Sequence, residues 1–387
     1  MQYILVDIAD RMNFYPFSLT RSLSDCRVGI FTFKERWDVY LGADTAVLTE
    51  NYLQPLYPET TFLNHTEAVC FINITCIPTV EVIEQIKALQ NGEKLISATG
   101  KWIASNSKER TFQKVLLPEG APIVFDTVSF VNDAVHLLGL HEKFIRRDFE
   151  IVKKDKQSQP LDLSNMAINP EQIFIEEGAS ILCANLNASN GPIYIGKEAV
   201  IMEGACIRGP FVLGYKAVVK MNASIYGSTT IGPFCLAGGE IKHSIMMGYS
   251  NKGHEGYLGD SILGYWCNIG AGSSNSNIKN TATDVQLWNE SKQEWVSVGQ
   301  KMGMLVGDYS RMAILSRINT GTYIGVSANI FGKGLLPKML PNFTWGIVPG
   351  YQYEKAIEDI DNWKKLKGTR IAEAEKQVIK HLFDIAP

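Results

Sequence analysis

From Ile195 to Ala237 an apolar residue recurs at every sixth position: Ile195, Ile201, Ile207, Leu213, Val219, Ile225, Ile231 and Ala237. A second column runs beside it through Ala199, Ala205, Phe211, Ala217, Ala223, Thr229, Cys235 and Ile241, and most of its members are small. A period of six fits neither an α-helix nor an alternating strand, and it predicts a parallel β-solenoid of hexapeptide coils. In such a coil the large residue fills the interior and the small one lets the chain turn a corner. The rhythm breaks near His243, returns at Ile269-Gly270-Ala271-Gly272, and runs again through Val306, Met312, Ile318, Ile324 and Ile330. Between these stretches, Val285 to Trp288 and Trp295 to Val298 flank a polar turn and predict a hairpin arm near 285–298. Arms of this kind commonly embrace a neighbouring subunit.

The pattern before residue 165 is different. Tyr3 to Asp7 reads as a buried strand, Thr79 to Leu89 as a helix, Ile123 to Phe125 as a further strand, and Asn132 to Phe149 as a charged helix. Three segments are therefore expected: an α/β domain over 1–165, a solenoid over 166–346 and a helical tail over 347–387. The tail should contain helices from Tyr353 to Lys367 and from Ile371 to Phe383, joined at Gly368. It would cap or cover strand edges that the solenoid otherwise leaves open.

Composition narrows the partners. With 387 residues there is room for two domains and a tail, and a net charge of −3 offers no footprint for nucleic acid or an anionic membrane. No apolar run approaches membrane-spanning length, and Asp7 follows the start too closely for a secretory signal. Seven scattered cysteines without CxxC spacing point to a reducing cytoplasm and no structural metal. Cys267 reads as a small corner-filling residue, and the Asn-x-Ser/Thr triplets at Asn187 and Asn222 as incidental.

Candidate chemistry concentrates where the solenoid rhythm fails. His254, preceded by Gly253 and followed by Tyr257, has the parts for base-assisted acyl transfer. A neutral imidazole can take a proton from an attacking amine near neutral pH, and amides can stabilise the oxyanion formed from a thioester. In the N-terminal domain, Arg21, Arg27 and Lys34 follow the first strand, where α/β folds commonly bind phosphates. The equally available reading is three solvated or salt-bridged side chains, because the loop lacks the glycines that admit a triphosphate.

The run from Gly239 to Asn277 resembles the acetyltransferase half of the bifunctional bacterial enzyme family that makes UDP-N-acetylglucosamine. That family joins a glucosamine-1-phosphate acetyltransferase to an N-acetylglucosamine-1-phosphate uridylyltransferase. Its Lys-x-Gly-His, Tyr-Leu-Gly-Asp and Asn-Ile-Gly-Ala-Gly runs correspond to Asn251-Lys252-Gly253-His254, Tyr257-Leu258-Gly259-Asp260 and Asn268-Ile269-Gly270-Ala271-Gly272. One departure is that Asn251 replaces the opening lysine. The resemblance implies a left-handed parallel β-helix, with acetyl-CoA bound along the later coils. It implies His254 as the base, Lys242 and Tyr257 as contacts to a sugar phosphate, and Asn268 and Asn277 as contacts to the sugar. A phosphate-binding arginine of the family has no arginine counterpart, and Lys220 is the nearest candidate. A cyclic homotrimer is the implied assembly.

Over the whole chain, Pro16 to Arg21, Arg27-Val28-Gly29, Gly248 to Lys252, Asn319 to Thr322 and Asn342 to Gly346 resemble a variant of this family found in Bacteroidetes-type bacteria. The variant implies a truncated sugar-phosphate nucleotidyltransferase domain. Its Gly-x-Gly-Thr-Arg loop is reduced here to Leu19-Thr20-Arg21, and no second carboxylate pairs with Asp7 in sequence. Nucleotidyl transfer needs Mg²⁺ and cationic clamps on a nucleoside triphosphate, so Mg²⁺ is expected only if that domain is active.

The leading expectation is therefore a CoA-dependent N-acetyltransferase acting on an amino-sugar phosphate in nucleotide-sugar biosynthesis. A nucleotidyltransferase using the solenoid as a trimerisation platform, and a non-catalytic sugar-nucleotide scaffold, are the alternatives. A zinc carbonic anhydrase on this fold needs three converging histidines, and the solenoid offers only His243 and His254.

Overall fold

The computed structural model describes residues 2–7, 10–58, 69–108 and 122–386. By packing, these residues form two compact units. The first comprises residues up to Phe14, Arg21–Cys26 and Phe31–Asp133, and the second comprises Tyr15–Thr20, Arg27–Ile30 and Ala134 onward. The polar linker after Lys154 suggested a boundary near 165, yet the long helix Ala134–Asp155 packs with the solenoid.

The first unit is an α/β fold. Its six-stranded sheet has the spatial order Ala46–Leu48, Gln2–Val6, Val69–Asn73, Trp102–Ser107, Lys94–Ile96, Ile123–Val124. The first three strands run parallel, and Trp102–Ser107 is antiparallel to both its neighbours. Continuous apolar strands such as Gln2–Val6 suit a sheet buried on both faces, and Ile4, Val6, Val69 and Phe71 share one cluster. The helix Phe33–Leu41 starts from a capping box between Thr32 and Glu35 and ends at left-handed Gly42.

The second unit is built on a parallel β-solenoid. All sixteen members of the two six-residue columns are buried, each at most 2% exposed. One wall is a ten-stranded sheet, whose register places Ile181, Ile201, Val219, Ala237, Lys252, Ile269, Met312 and Ile330 in a single inward column. Seven of these are apolar and the eighth is a lysine. The sequence rhythm falters after Ala237 because the spacing in this column drops from 18 residues per coil (Ile201, Val219, Ala237) to 15 (Ala237 to Lys252).

A second wall holds the apolar triplets Ile193–Ile195, Phe211–Leu213 and Met304–Val306. Its outward residues Phe174, Tyr194, Val212, Thr230, Ile245, Ile262, Leu305 and Tyr323 are buried too. The helix Ala134–Asp155 and the segments 15–20 and 27–30 lie against this wall. Thr230 donates to the Gly29 carbonyl (3.1 Å), Ser228 to Glu142 (2.9 Å) and Lys153 to the Glu171 carbonyl (3.0 Å). Within the same unit, the amide of Ile30 donates to Asp148 (2.9 Å).

The third wall is open. Its outward residues include Asn185, Cys206, Arg208, Ser224, Tyr226, Glu240 and Lys242, all exposed.

The corners do not rely on small residues alone. The left-handed conformation is taken there by Glu198, Lys216, Phe234, Tyr249 and Trp266, among others. Phe234, Tyr249 and Trp266 stack coil on coil, with centroids 4.7 and 4.3 Å apart, which offsets part of the backbone strain. The expected hairpin pairs Gln286–Asn289 with Glu294–Ser297 and lies against its own chain, where Lys338 donates to the Gln286 carbonyl (2.6 Å). The tail helices Tyr353–Lys365 and Glu373–Asp384 cover part of the ten-stranded wall, with Arg311 stacked on Trp363 and Lys364 paired to Glu375. No helix among the described residues is long and apolar enough to cross a membrane.

Candidate active site

His254 stands at the edge where the ten-stranded wall meets the open wall. Its side chain is exposed, and among the described residues its imidazole has no hydrogen-bonding partner. The loop Gly253–Gly256 rests on Gly238-Gly239 of the preceding coil. A Cβ at Gly239 would fall 2.7 Å from the carbonyls of His254 and Gly256, so only glycine lets the coils approach this closely. Sequence reasoning passed over this tandem glycine, although it is the local signal that the loop is held tightly from below.

On the open wall, the register sets Glu240 beside Tyr257 and Lys242 beside Gly259. Asn277 donates to the Tyr257 hydroxyl oxygen (3.0 Å) and to Asp260. Burial pushes the Tyr257 hydroxyl up to about 12, helped by the nearby Asp260 and Glu240 carboxylates. Tyr257 therefore stays protonated at neutral pH, and with Asn277 on its oxygen its O–H is left to donate to a ligand. Burial alone would raise the Asp260 carboxyl, but hydrogen bonds from His243 and Asn277 overcome this and hold it below its ordinary value. His243 bridges Asp260 (2.6 Å) and the Leu138 carbonyl (3.3 Å), so the helix 134–155 anchors this network from behind.

Lys242 is exposed beside the Tyr226 ring, its ammonium 5.8 Å from the centroid, with no carboxylate partner among the described residues. The same outward column continues to Arg208, which is likewise exposed and lacks an ion pair among the described residues. Sequence reasoning missed Arg208 and Tyr226. Their spacing from Lys242 becomes visible only once coils are put in register. Lys220, the sequence candidate for a phosphate contact, lies on another part of the solenoid. It follows strand Val218–Val219 at the edge that bears His254, half-buried. Asn268 lies on the ten-stranded wall beside Asn251 and Arg311, not beside Tyr257. Asn251 in turn accepts from Lys367 of the tail (3.0 Å). The Cys267 thiol is buried, and burial pushes its pKa far up, which fits a packing role.

The three basic residues near the first strand are occupied internally. Arg21 approaches Asp25 (3.8 Å), Lys34 bonds Asp38 (2.8 Å) and Asp44, and the buried Arg27 guanidinium donates to the Ile30 carbonyl. Asp7 is fully buried, accepts from the Leu23 amide (2.8 Å), and is raised by that burial against the opposing pull of Arg11. Among the described residues no three His, Cys, Asp or Glu side chains converge into a metal-binding group. Among the described residues, this region offers no carboxylate cluster of the kind that holds Mg²⁺.

The fold comprises a nucleotidyl transferase-like α/β domain, a parallel β-solenoid of about ten turns, and C-terminal helices. Residues 3–157 match the sugar nucleotidyl transferase family. The chain is similar to a bifunctional sugar-1-phosphate nucleotidylyltransferase/acetyltransferase of Sulfurisphaera tokodaii, at 32% identity over 93 residues, 24% of this chain and 23% of the relative. It is similar to the bifunctional protein GlmU of Methanocaldococcus jannaschii, at 28% over 106 residues, 27% of this chain and 26% of the relative. A third relative, GlmU of Methanococcus aeolicus, is 32% identical over 97 residues, 25% of this chain and 23% of its own. The chain thus resembles this bifunctional family, and each alignment spans about a quarter of the relative's length.

Proposed function

We propose that the solenoid is a CoA-dependent N-acetyltransferase acting on an amino-sugar phosphate, of the glucosamine-1-phosphate type, in nucleotide-sugar biosynthesis. The observation that carries this reading is an exposed, unpartnered His254 at the rim of an open wall bearing protonated Tyr257, Asn277 and the unpaired Lys242. In this reading the acceptor amine attacks the thioester carbonyl of acetyl-CoA. The C–N bond forms, His254 takes the amine proton, the C–S bond breaks, and the proton passes from His254 to the departing thiolate, so that CoA leaves as its thiol. Lys242 and the Tyr257 hydroxyl hold the acceptor phosphate, with Arg208 available to the same anion, while Asn277 orients Tyr257. Lys220 and Asn268 keep supporting places at the rim and on the adjoining wall. An open wall gives little enclosure, so the working assembly is a homotrimer in which a second copy closes the groove. In this reading the reaction is cytoplasmic.

The test is CoA release from acetyl-CoA with glucosamine-1-phosphate. Release that depends on His254 supports the reading, and no release with any amino-sugar phosphate removes it.

A second reading, nucleotidyl transfer to a sugar-1-phosphate, is favoured by the family match over residues 3–157. The internal engagement of Arg21, Arg27 and Lys34 weighs against it. Pyrophosphate release from a nucleoside triphosphate, Mg²⁺ and a sugar-1-phosphate would establish it.

A further inference from the structure

Lys252 occupies a place that packing alone would give to an aliphatic residue. It lies in the inward column between Ala237 and Ile269 and is 1% exposed. An ammonium buried among apolar side chains is strongly unfavourable unless its donors are satisfied. Here two acceptors are supplied, the Gly238 carbonyl at 3.0 Å and the His254 carbonyl at 2.5 Å. The room comes from Gly239, where a Cβ would stand 2.9 Å from the ammonium. The interior of the solenoid thus reaches, through one charged group, to the backbone of the residue read as the base. A methionine or leucine would fill the column without making either bond.

We propose that Lys252 is a positioning residue: its ammonium ties the His254 carbonyl to the preceding coil at Gly238 and so fixes the direction in which the imidazole leaves the loop. The proposal rests on the reading of His254 as the base. Nothing in the column's packing requires the charge, while the loop Gly253–Gly256 has no other side-chain bond to its His254 carbonyl among the described residues. Burial disfavours the charged form, and Glu255, on the same loop, counters this only in part.

The experiment compares wild type, Lys252→Met and His254→Ala by acetyl-CoA turnover with glucosamine-1-phosphate and by hydrogen exchange of the peptide spanning 253–257. For Lys252→Met the expected result is a fall in kcat of about tenfold or more, as for a misplaced catalytic group. KM for the acceptor should stay within about twofold, and exchange should accelerate in this peptide while the other coils keep their protection. His254→Ala should lose turnover and leave exchange unchanged. Wild-type kcat together with wild-type exchange in Lys252→Met would overturn the proposal, as would loss of protection throughout the solenoid. Absence of turnover in the wild type would instead remove the base assignment, and the positioning role with it; the exchange data would then report only on the clamp.

Discussion

Thr20 and Asp308, 288 positions apart in the chain, are joined by a 2.5 Å hydrogen bond in which the Thr20 hydroxyl donates to the carboxylate. The other oxygen of Asp308 accepts from the Tyr265 amide (2.8 Å), and both residues are buried. The segment Pro16–Thr20, which directly precedes the phosphate-contact candidate Arg21 in the sequence, is therefore packed into the solenoid unit. A buried charge-assisted bond of this kind holds a segment in place better than an exposed pair would.

Removing one donor here and removing the shared acceptor should differ. Thr20→Val loses a single bond and should cost about 1–2 kcal/mol, whereas Asp308→Ala strands the Tyr265 amide as well and should cost about 3 kcal/mol or more. Thermal or urea unfolding of the two variants checks the order. Equal losses would mean that the carboxylate does not serve both partners.

His254→Ala should lower CoA release by about a hundredfold, the size expected of a general base, with stability nearly unchanged because the side chain is exposed. Tyr257→Phe keeps the ring and removes the hydroxyl. It should raise the acceptor KM by about tenfold if that hydroxyl grips the phosphate, and steady-state kinetics separates the two effects.

The interior of the solenoid was legible because its rule is local. One apolar residue every six positions filled the core, and each predicted position from Ile195 to Ala237 is buried. Two things were not legible. The outward faces of Tyr194, Val212 and Ile245 are also buried, because distant segments cover that wall; unbroken apolar triplets such as Phe211-Val212-Leu213 were the available signal. Site residues on neighbouring coils were the second gap. Tyr257 and Asn277 could be read from a motif, but Arg208 and Tyr226 join Lys242 only through coil register, and Asn268 proves to face a different wall.

Asp260 should make stability acid-sensitive. Its folded-state pKa is depressed, by hydrogen bonds from His243 and Asn277 that outweigh burial. A carboxyl depressed on folding contributes stability that is fully present above its unfolded value near 3.9, and this is lost as pH falls through the lower folded value. Asp260→Asn should remove that acid dependence and cost on the order of 1–3 kcal/mol at pH 7. Unfolding measured from pH 7 down to about pH 3 compares the two profiles.

Lys252 should produce a second rise of stability with pH, this one at alkaline pH. Burial lowers its ammonium to about 8, only partly countered by Glu255, against roughly 10.4 in the unfolded chain. The charged form is thus less favourable folded than unfolded. Below the folded value the full penalty is present, and between about pH 8 and 10.5 the unfolded chain binds more protons, so stability rises with pH. The gain across that window is on the order of 3 kcal/mol. Lys252→Met has nothing to titrate there and should lack the rise. At pH 7 it should be more stable than the wild type, because a neutral chain fills the inward column between Ala237 and Ile269. Denaturant unfolding of both proteins at pH 7 and pH 10 checks this. A variant less stable at pH 7 would mean that the two carbonyl bonds outweigh the desolvation of the ammonium. A gain in global stability alongside a loosened 253–257 loop would separate what the lysine does for His254 from what it does for the fold.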